Sequence, residues 1–478
     1  MRILVATGDL TPLLAPDASD RAGNLPGLPL AFQRAGHEVS VVGPLLPALE
    51  RSGTLKIKPT GVQINVSLGN EKVSVQVAET RTDDGLQLFL LRHEATFGRL
   101  TDTAELDAPA AVLFSKSLVE LARRLNPAPD VIQVLDWPGA LTPLFLKAQH
   151  LPFTSVLSVS DPRAQGSFPI EDFQLLNLGW EYFRPTGVEF YGRLNFLKSG
   201  LVAAPAIVAD GDLEREALQT SEHGGGLDAV FREYAGKLHG IPPGLDEETW
   251  NPAKDPLLAR RYQPTNLSGK AAGRNTLLTQ LGLAKNAAGP VYFLDLAGTH
   301  DKAILELLTG QIDQLLAADL RFVVLGQLSA QLPAQIALET AARKHPTRLA
   351  LVRTPDDRLR HGALAGSDFQ LFLGRDLHST QGVLRALKYG TLPIAAASAG
   401  LRQLAEDLVP GTDHGAGLVF YQNTRAALFD VLAHRAPGLL GSTEAWESLR
   451  QRAMGHAGKF TWARTAAQYI ALYERLKH

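Results

Sequence analysis

The chain has no cysteine among its 478 residues, so it forms no disulfide and offers no thiolate to a metal ion. An excess of charge of one sign is missing too, since 47 basic residues face 49 acidic ones. The lysines and arginines are spread along the chain, without the basic cluster that nucleic acid attracts. No apolar run reaches the roughly 18 residues of a transmembrane helix. We therefore expect a cytoplasmic protein that binds neither nucleic acid nor membrane.

Four motifs of familiar active sites are also missing. Without GxGxxG or GxxxxGK[ST], the sequence does not predict a classical dinucleotide or P-loop site. The absence of HExxH and GxSxG leaves no sign of a zinc protease or a Ser-His-Asp hydrolase. Asp210-Gly211-Asp212 has the DxD spacing of some metal sites, but so short a pattern recurs by chance. We therefore predict no metal and no other cofactor.

What is present is an alternation of strands and helices. The chain begins with strand RILVATG, a loop, a helix that ends near Gly36, and strand EVSVVGP, which together predict a βαβ unit and a parallel α/β sheet. Short β-rich runs between Gly53 and Arg92 predict a β-meander added to that sheet. The segment from Phe183 to Leu201 is predicted to be a loop that leads into an amphipathic helix. Its aromatic residues are expected in the core rather than on a sugar-stacking platform.

The length predicts two domains of about 200 to 250 residues. Ile241-Pro242-Pro243-Gly244 breaks the chain as an interdomain linker does. The strand–helix alternation then restarts with strand VYFLDL, a helix over 303–316, strand RFVVLG and a helix over 330–344. We predict domains at residues 1–241 and 242–457. Residues 458–478, with a helix from about Thr461 to Leu476, are predicted to pack on the first domain.

The stretch Asp368 to Leu401 predicts a strand, a loop, a helix and a second strand. In a doubly wound sheet, such a loop opens at the carboxyl edge, where ligands bind, and the N-terminus of the following helix favours phosphate. We therefore expect a nucleotide to bind there. The polar candidates in this loop are Arg375, Asp376, Ser379, Thr380 and Gln381.

Four separated segments resemble bacterial glycogen synthases and plant starch synthases: GVEFYGRLNFLKSGL, GLDEETWNP, LKYGTLPIAAASAGL and FTWARTAAQYIALYERL. GHEVSVVGP and VIQVLDWPGALTPLFLK match that family as well, in the same order and spacing, so the resemblance covers almost the whole chain. It implies the GT-B fold: two Rossmann-like doubly wound domains that face a central cleft, with the C-terminal helix crossing back to the first domain.

The resemblance also implies an activity, the metal-independent transfer of glucose from ADP-glucose or UDP-glucose to an α-1,4-glucan with retention of configuration. The first domain would bind the glucan, and its loops after two predicted strands make Asp136, Trp137 and Asp161 the acceptor-side candidates. The second domain would bind the nucleotide sugar.

The motifs that contact the sugar nucleotide in this family are altered in the first domain. The family has KxGGL in the first loop, whose lysine and glycines hold the donor, where this chain has Asp17-Ala18-Ser19-Asp20-Arg21. The family's HN, whose histidine contacts the donor sugar, is similar in position to Ser160-Asp161. A positive charge has become negative, and a hydroxyl has replaced an imidazole.

The second domain shows the same kind of change. The arginine of the family's RxxxxKG falls on Ala297 and its lysine on Lys302, so one of two cations remains as a candidate for nucleotide-sugar binding. The acidic residue of EPCGLTQ falls on Leu377, and the tyrosine that stacks on the base falls on Pro355. Asp17, Ser160, Ala297 and Leu377 are therefore degenerate positions, and no residue is assigned as catalytic.

These substitutions predict a pseudo-glycosyltransferase that keeps the synthase fold and binds a glucan or a protein partner in glycogen metabolism. The alternative is an active retaining glucosyltransferase that uses ADP-glucose or another nucleotide sugar. In that case Arg21 or Arg375 would replace a lost cation, and Asp376 would replace the lost acid. A third interpretation is a binding module for another sugar or nucleotide.

Overall fold

The computed structural model describes residues 1–14, 25, 27–51, 56–100, 106–285, 289–296, 302–373, 380–397, 404–405, 407–408, 412 and 414–477. They form two compact units. Unit 1 contains the described residues up to Pro242 together with those from Trp462 onwards, and unit 2 contains those from Pro243 to Thr461. No helix among the described residues is long and apolar enough to cross a membrane. The assignment of residues 1–241 to the glucan and of residues 242–457 to the nucleotide sugar stays a prediction.

A nine-stranded sheet is the centre of unit 1, in the order β12-β11-β7-β6-β1-β2-β5-β4-β3. The strands are β1 (Arg2–Ala6), β2 (Glu38–Pro44), β3 (Lys58–Leu68), β4 (Glu71–Arg81), β5 (Gln87–Arg92), β6 (Val131–Leu135), β7 (Thr154–Val159), β11 (Ala206–Ala209) and β12 (Leu238–Gly240). Neighbouring strands from β12 to β5 are parallel, whereas β4 is antiparallel to β3 and β5. The predicted parallel sheet and its added meander are confirmed.

Helices flank this sheet. They are Thr11–Leu14, Leu28–Arg34, Pro47–Arg51, Ala108–Arg124, Thr142–Ala148, Phe196–Ala203, Asp212–Ala217, Asp228–Glu233 and Trp462–Leu476. The long helix Ala108–Arg124 begins where its sequence favours a start, because the Asp107 carboxylate accepts a hydrogen bond from the backbone N–H of Ala110 at 3.0 Å. Its inner face packs in the core of unit 1.

A second, small sheet in unit 1 has the order β8-β10-β9. Its strands are β8 (Ser167–Phe168), β9 (Glu189–Phe190) and β10 (Arg193–Asn195). Strands of two or three residues are too short to show an alternating pattern, which is why the sequence predicted only a loop here. The aromatic residues divide between core and surface: Phe196 is fully buried, as expected, but Tyr191 is exposed.

The C-terminal helix Trp462–Leu476 belongs to unit 1, as the predicted crossing requires. Tyr469 and Tyr473 on its buried face contact the ring of Phe32, with centroids 6.0 and 5.8 Å apart. The Tyr469 hydroxyl lies 2.9 Å from Ser158 Oγ, and the Tyr473 hydroxyl donates to Gln133 Oε1 at 2.7 Å. The helix is therefore fixed to β6 and β7 by buried polar contacts as well as by apolar packing.

Unit 2 contains a six-stranded sheet, entirely parallel, in the order β15-β14-β13-β16-β17-β18. The strands are β13 (Val291–Asp295), β14 (Arg321–Leu325), β15 (Leu349–Val352), β16 (Phe369–Phe372), β17 (Leu392–Ala396) and β18 (Leu418–Phe420). Except for the half-buried edge strand β15, these short strands are almost completely buried, which fits a sheet covered by helices on both faces.

The helices of unit 2 follow the predicted alternation. They are Ser268–Gln280, Lys302–Thr309, Ile312–Ala317, Pro333–Lys344, Asp357–Gly366, Thr380–Lys388, Arg425–Asp430, Ala436–Gly438 and Thr443–Ala457. The single helix expected over 303–316 is two helices, interrupted at Gly310, because glycine is a poor helix former. The helix expected from residue 330 begins at Pro333, since proline suits the first turn of a helix.

We expect Tyr473→Phe to destabilise unit 1 by about 1–3 kcal/mol, because it leaves the buried Gln133 Oε1 without the hydrogen bond that Tyr473 donates. Urea unfolding followed by tryptophan fluorescence measures the change. Tyr421→Phe is the matched control, since Tyr421 is exposed and the same substitution should shift stability by no more than about 0.5 kcal/mol. Equal unfolding midpoints for Tyr473→Phe and the unmodified chain would contradict the structural role of this contact.

Candidate functional site

The carboxyl ends of four parallel strands meet at one edge of the sheet in unit 1. The strand register places Ala6 beside Val134, Leu135 beside Ser158, and Val159 beside Ala209. The residues that follow these strands are Thr7, Asp136, Ser160 and Asp210. Ligands bind at this edge in open α/β sheets, so we take it as the candidate site of unit 1.

Asp136 connects two of the predicted site positions. Its Oδ1 accepts a hydrogen bond from the backbone N–H of Ser160 at 2.7 Å, and its own N–H donates to the carbonyl oxygen of Ser158 at 2.9 Å. Its φ of 57° lies in the left-handed region, which non-glycine residues rarely adopt. Such strained backbone is concentrated at functional sites, which supports Asp136 as an acceptor-side candidate.

Trp137 and Asp161, the other acceptor-side candidates, are differently placed. The Trp137 indole is buried and packs 6.0 Å from the ring of Phe168. Gly166 approaches it so closely that a Cβ there would lie 2.2 Å from the indole. Its ring therefore supports the edge from inside and offers no face to a sugar. The Asp161 carboxylate is half-buried and accepts two hydrogen bonds from the Arg163 guanidinium, at 3.0 and 3.1 Å.

Glu214, on the helix Asp212–Ala217, adds an acid that the sequence did not single out. It is only 1% exposed, and its Oε1 has no hydrogen-bond partner among the described residues. Burial, together with the neighbouring charges of Asp210 and Asp161, raises the pKa of Glu214 to about 8. Acidic groups therefore dominate this edge. The DxD pattern alone gave no sign of this buried acid, because its helix packs against β11 and β12, which only the fold brings together.

Metal binding by these acids finds no support in the geometry. Among the described residues, no group of three or more histidine or acidic side chains is arranged to hold a metal ion. Burial of Glu214, and secondly the neighbouring charge of Asp210, favours the protonated form of Glu214 instead.

The candidate positions of unit 2 are only partly within the described residues. The Lys302 side chain is 75% exposed, and its Nζ lies 4.0 Å from Glu306 on the next turn of its helix. Thr380 and Gln381 are buried at the start of the helix Thr380–Lys388. Five degenerate or candidate positions of unit 2 lie outside the described residues: Ala297, Arg375, Asp376, Leu377 and Ser379. Asp17 of the first loop also lies outside them.

Gln381 has a partner inside unit 2. Its Nε2 donates a hydrogen bond to the carbonyl oxygen of Gly244 at 2.9 Å, in the segment that the sequence suggested as a linker. The same segment contacts the helix Thr380–Lys388 twice more: Glu247 forms an ion pair with Lys388, and the Arg385 guanidinium lies 4.3 Å over the Trp250 ring. The Gln381 amide nitrogen therefore anchors a helix.

The residue after that helix is anchored as well. The Tyr389 hydroxyl donates to Asp255 Oδ2 at 2.5 Å, and His361 Nδ1 lies 2.7 Å from the same oxygen. Burial of Asp255 would raise its pKa, but the hydrogen bonds from His361 and Tyr389 hold that pKa below its usual range. The position of the helix that follows the predicted nucleotide loop is thus set by residues 244–255.

We expect Glu214→Gln to remove a pH dependence of stability. The folded state keeps a proton up to about pH 8 that an unfolded glutamate loses near 4.5. The free energy of unfolding of the unmodified chain therefore falls as pH rises through that window, and the loss is complete above it. Glutamine carries no titrating proton, so the variant should lack this fall and be the more stable form at about pH 8.

Urea unfolding at several pH values between about 4.5 and 8 makes the measurement. Glu216→Gln is the matched control, because Glu216 lies on the same helix with its side chain 64% exposed. A fall of unchanged size in Glu214→Gln would contradict the assignment of this proton to Glu214.

Comparison with known proteins agrees with this architecture. The family model described as the starch synthase catalytic domain matches residues 21–233. The solved catalytic domain of starch synthase IV from Arabidopsis thaliana, bound to ADP and acarbose, superposes with a TM-score of 0.85 at 22% identity, over 99% of this chain and 98% of that one. This likeness confirms the predicted α/β class with GT-B architecture.

Two bacterial relatives are similar over their whole length. A glycogen synthase of Anaeromyxobacter sp. (strain Fw109-5) is 31% identical over 495 residues, which span 100% of this chain and 99% of the relative. A glycogen synthase of Opitutus terrae is 30% identical over 488 residues and 99% of both chains. On this identity, the chain belongs to the glycogen synthase and starch synthase family of glycosyltransferases.

Proposed function

We propose that this member of the family has lost ordinary glucosyl transfer from ADP-glucose and serves glycogen metabolism by binding α-glucan or a partner enzyme. The observation that carries the proposal is the simultaneous change at four donor-contacting positions, Asp17, Ser160, Ala297 and Leu377, in a chain that keeps the family's fold. Release of a diphosphate builds negative charge, and one preorganised cation or donor lowers that barrier by about 2.7 to 4 kcal/mol.

The electrostatics of unit 1 support the proposal. Asp136, Asp161 and Asp210 lie at or beside its carboxyl edge, and the Arg163 guanidinium there is hydrogen-bonded to Asp161. Glu214 beside them keeps its proton up to about pH 8 and adds no charge below it. A nucleotide diphosphate brought to such an edge would meet carboxylates instead of cations, and like charges in a partly buried site repel strongly. Glucan hydroxyls carry no charge, so the same edge remains compatible with an acceptor chain.

The contacts of the candidate residues in unit 2 give less support to binding of a nucleotide sugar than their residue types alone did. Lys302, the remaining cation of the family pair, is exposed and shares its helix with Glu306. An exposed lysine is screened by water and holds a phosphate weakly. Gln381 donates to Gly244, which commits its amide nitrogen to the protein. An enzyme loses most of its rate when several groups that act together in catalysis are missing.

The second candidate function is an active retaining glucosyltransferase. Identity of 30% and 31% over the whole length of relatives named glycogen synthase favours it, as does a structural neighbour bound to ADP and acarbose. In that case ADP-glucose or another nucleotide sugar would be the donor and an α-1,4-glucan the acceptor. The acceptor-side candidates Asp136 and Asp161 would serve either function.

Calorimetric titration separates the two. We expect no measurable binding of ADP-glucose or UDP-glucose, because the cations that hold a diphosphate are missing, and clear binding of a maltooligosaccharide. Tight binding of either sugar nucleotide would favour the active enzyme. The double variant Leu377→Glu with Ala297→Arg is the control: a donor site altered at four positions should not regain binding when two are restored. Recovery of sugar-nucleotide binding in that variant would show that the donor site is nearly intact.

A further inference from the structure

Exposed aromatic rings are concentrated in residues 167–195 of unit 1, here called the aromatic insertion. Seven of its 29 residues are aromatic, against 33 of 478 in the whole chain. Five large hydrophobic side chains are exposed in the part of the chain that the structure describes, and three of them, Ile170, Trp180 and Tyr191, lie in this insertion. A cluster of this kind marks a binding surface more often than a scattered single residue does.

Trp180 is 66% exposed, yet its ring is held in place. The ring packs on buried Phe173, with centroids 4.7 Å apart, and meets Phe183 edge to face at 5.8 Å. These contacts fix the indole and leave most of it in water. A ring that is already fixed loses little conformational freedom when a ligand stacks on it.

Tyr191 is exposed, and its backbone conformation is strained. It is 87% exposed and sits with Gly192 in the two-residue turn between β9 and β10. Both residues have positive φ, 49° and 76°, as a type I′ turn requires. Asparagine or glycine suits the first position of such a turn, and a bulky residue there is strained. Of the rings that the structure describes, Phe190 alone packs beside it, at 4.6 Å, so core packing does not explain the tyrosine.

Two buried lysines fix the backbone of the insertion. Lys198 Nζ donates to the carbonyl oxygens of Pro185, Gly187 and Glu189, and Lys116 Nζ donates to that of Leu175 at 2.7 Å. Burial lowers the pKa of Lys198 to about 8 and that of Lys116 to about 7. Burying an ammonium group is costly, and here it orders irregular chain on either side of Trp180.

The aromatic insertion is continuous with the candidate acceptor edge. Phe168 of β8 packs against Trp137, which follows β6. Gln165 donates to the carbonyl oxygen of Pro162 at 2.7 Å and accepts from Asn195 Nδ2 at 2.6 Å, so it joins the loop after β7 to β10. A polymer bound at the carboxyl edge would therefore lie next to the aromatic insertion within unit 1.

The charges of the insertion limit the ligand. It contains four acidic and two basic residues, which disfavours nucleic acid, free phosphate and an anionic membrane. A glucose ring presents C–H groups on its faces and hydroxyls around its rim. Aromatic rings match the faces, and the carboxylate and guanidinium groups of the insertion can accept and donate hydrogen bonds to the hydroxyls.

We infer that Trp180 and Tyr191 form a glucan-binding surface of unit 1 on which glucose units of an α-1,4-glucan stack, beyond the carboxyl edge itself. The inference rests on the proposed function for the identity of the polymer. It adds the place where the polymer is held, and it applies whether or not transfer occurs.

Titration of the full chain with maltoheptaose tests the surface, by calorimetry and by quenching of tryptophan fluorescence. Trp180→Ala and Tyr191→Asn should each weaken binding about tenfold, as loss of an anchoring ring does. Trp180→Phe should keep most of the affinity, because a flat ring remains. Tyr191→Asn also separates binding from folding, since asparagine relieves the turn and should leave the chain as stable or more stable. Tyr421→Ala and Ile336→Ala, exposed in unit 2, are controls that should bind normally.

Unchanged affinity in both ring variants, or no maltoheptaose binding by the unmodified chain, would overturn the inference. A second result would also overturn it: the ring variants change self-association in sedimentation while their glucan affinity stays the same. The rings would then contact a second copy of the chain. Titration of the same preparations with ADP-glucose keeps the two proposals apart. Donor binding would contradict the proposed loss of transfer and leave the aromatic surface standing.

Discussion

Parallel strand pairing is the constraint on which the rest of the structure depends. In unit 1, β1, β6, β7 and β11 run side by side in register, so the residues after them must meet at one edge. The strands themselves are buried and apolar, and their packing does not depend on which side chains follow them. A chain of this kind can therefore keep its fold while the chemistry of its edge changes.

Backbone carbonyl groups outside the regular ladders need other hydrogen-bond partners, and buried lysines are such partners in both units. Lys198 holds the chain before β9, while Lys270 donates to the carbonyl oxygens of Leu364, Ala365 and Tyr389 in unit 2. A lysine with several carbonyl partners satisfies backbone groups that a helix or strand would otherwise satisfy. Burial holds the pKa of Lys270 well below its usual range, because the side chain is almost completely shielded from water.

The sequence predicted regular structure well, since apolar periodicity is a local signal. The opening βαβ unit, the meander, the parallel sheets and the C-terminal helix follow from it. The prediction failed where a single residue outweighed the pattern, as at Gly310, or where strands were too short to show one, as at β9. Contacts between residues far apart in the chain could not be predicted from local patterns. Gln381 had the right chemistry for a ligand, but its partner Gly244 lies 137 residues away.

We propose that this chain keeps the family's fold without the family's transfer chemistry. Incorporation of radiolabelled glucose from ADP-glucose into a maltooligosaccharide, with the purified full chain, tests that claim most directly. The account predicts incorporation no greater than in the absence of protein, even at high acceptor concentration. Elongation of the maltooligosaccharide in proportion to added protein would contradict it.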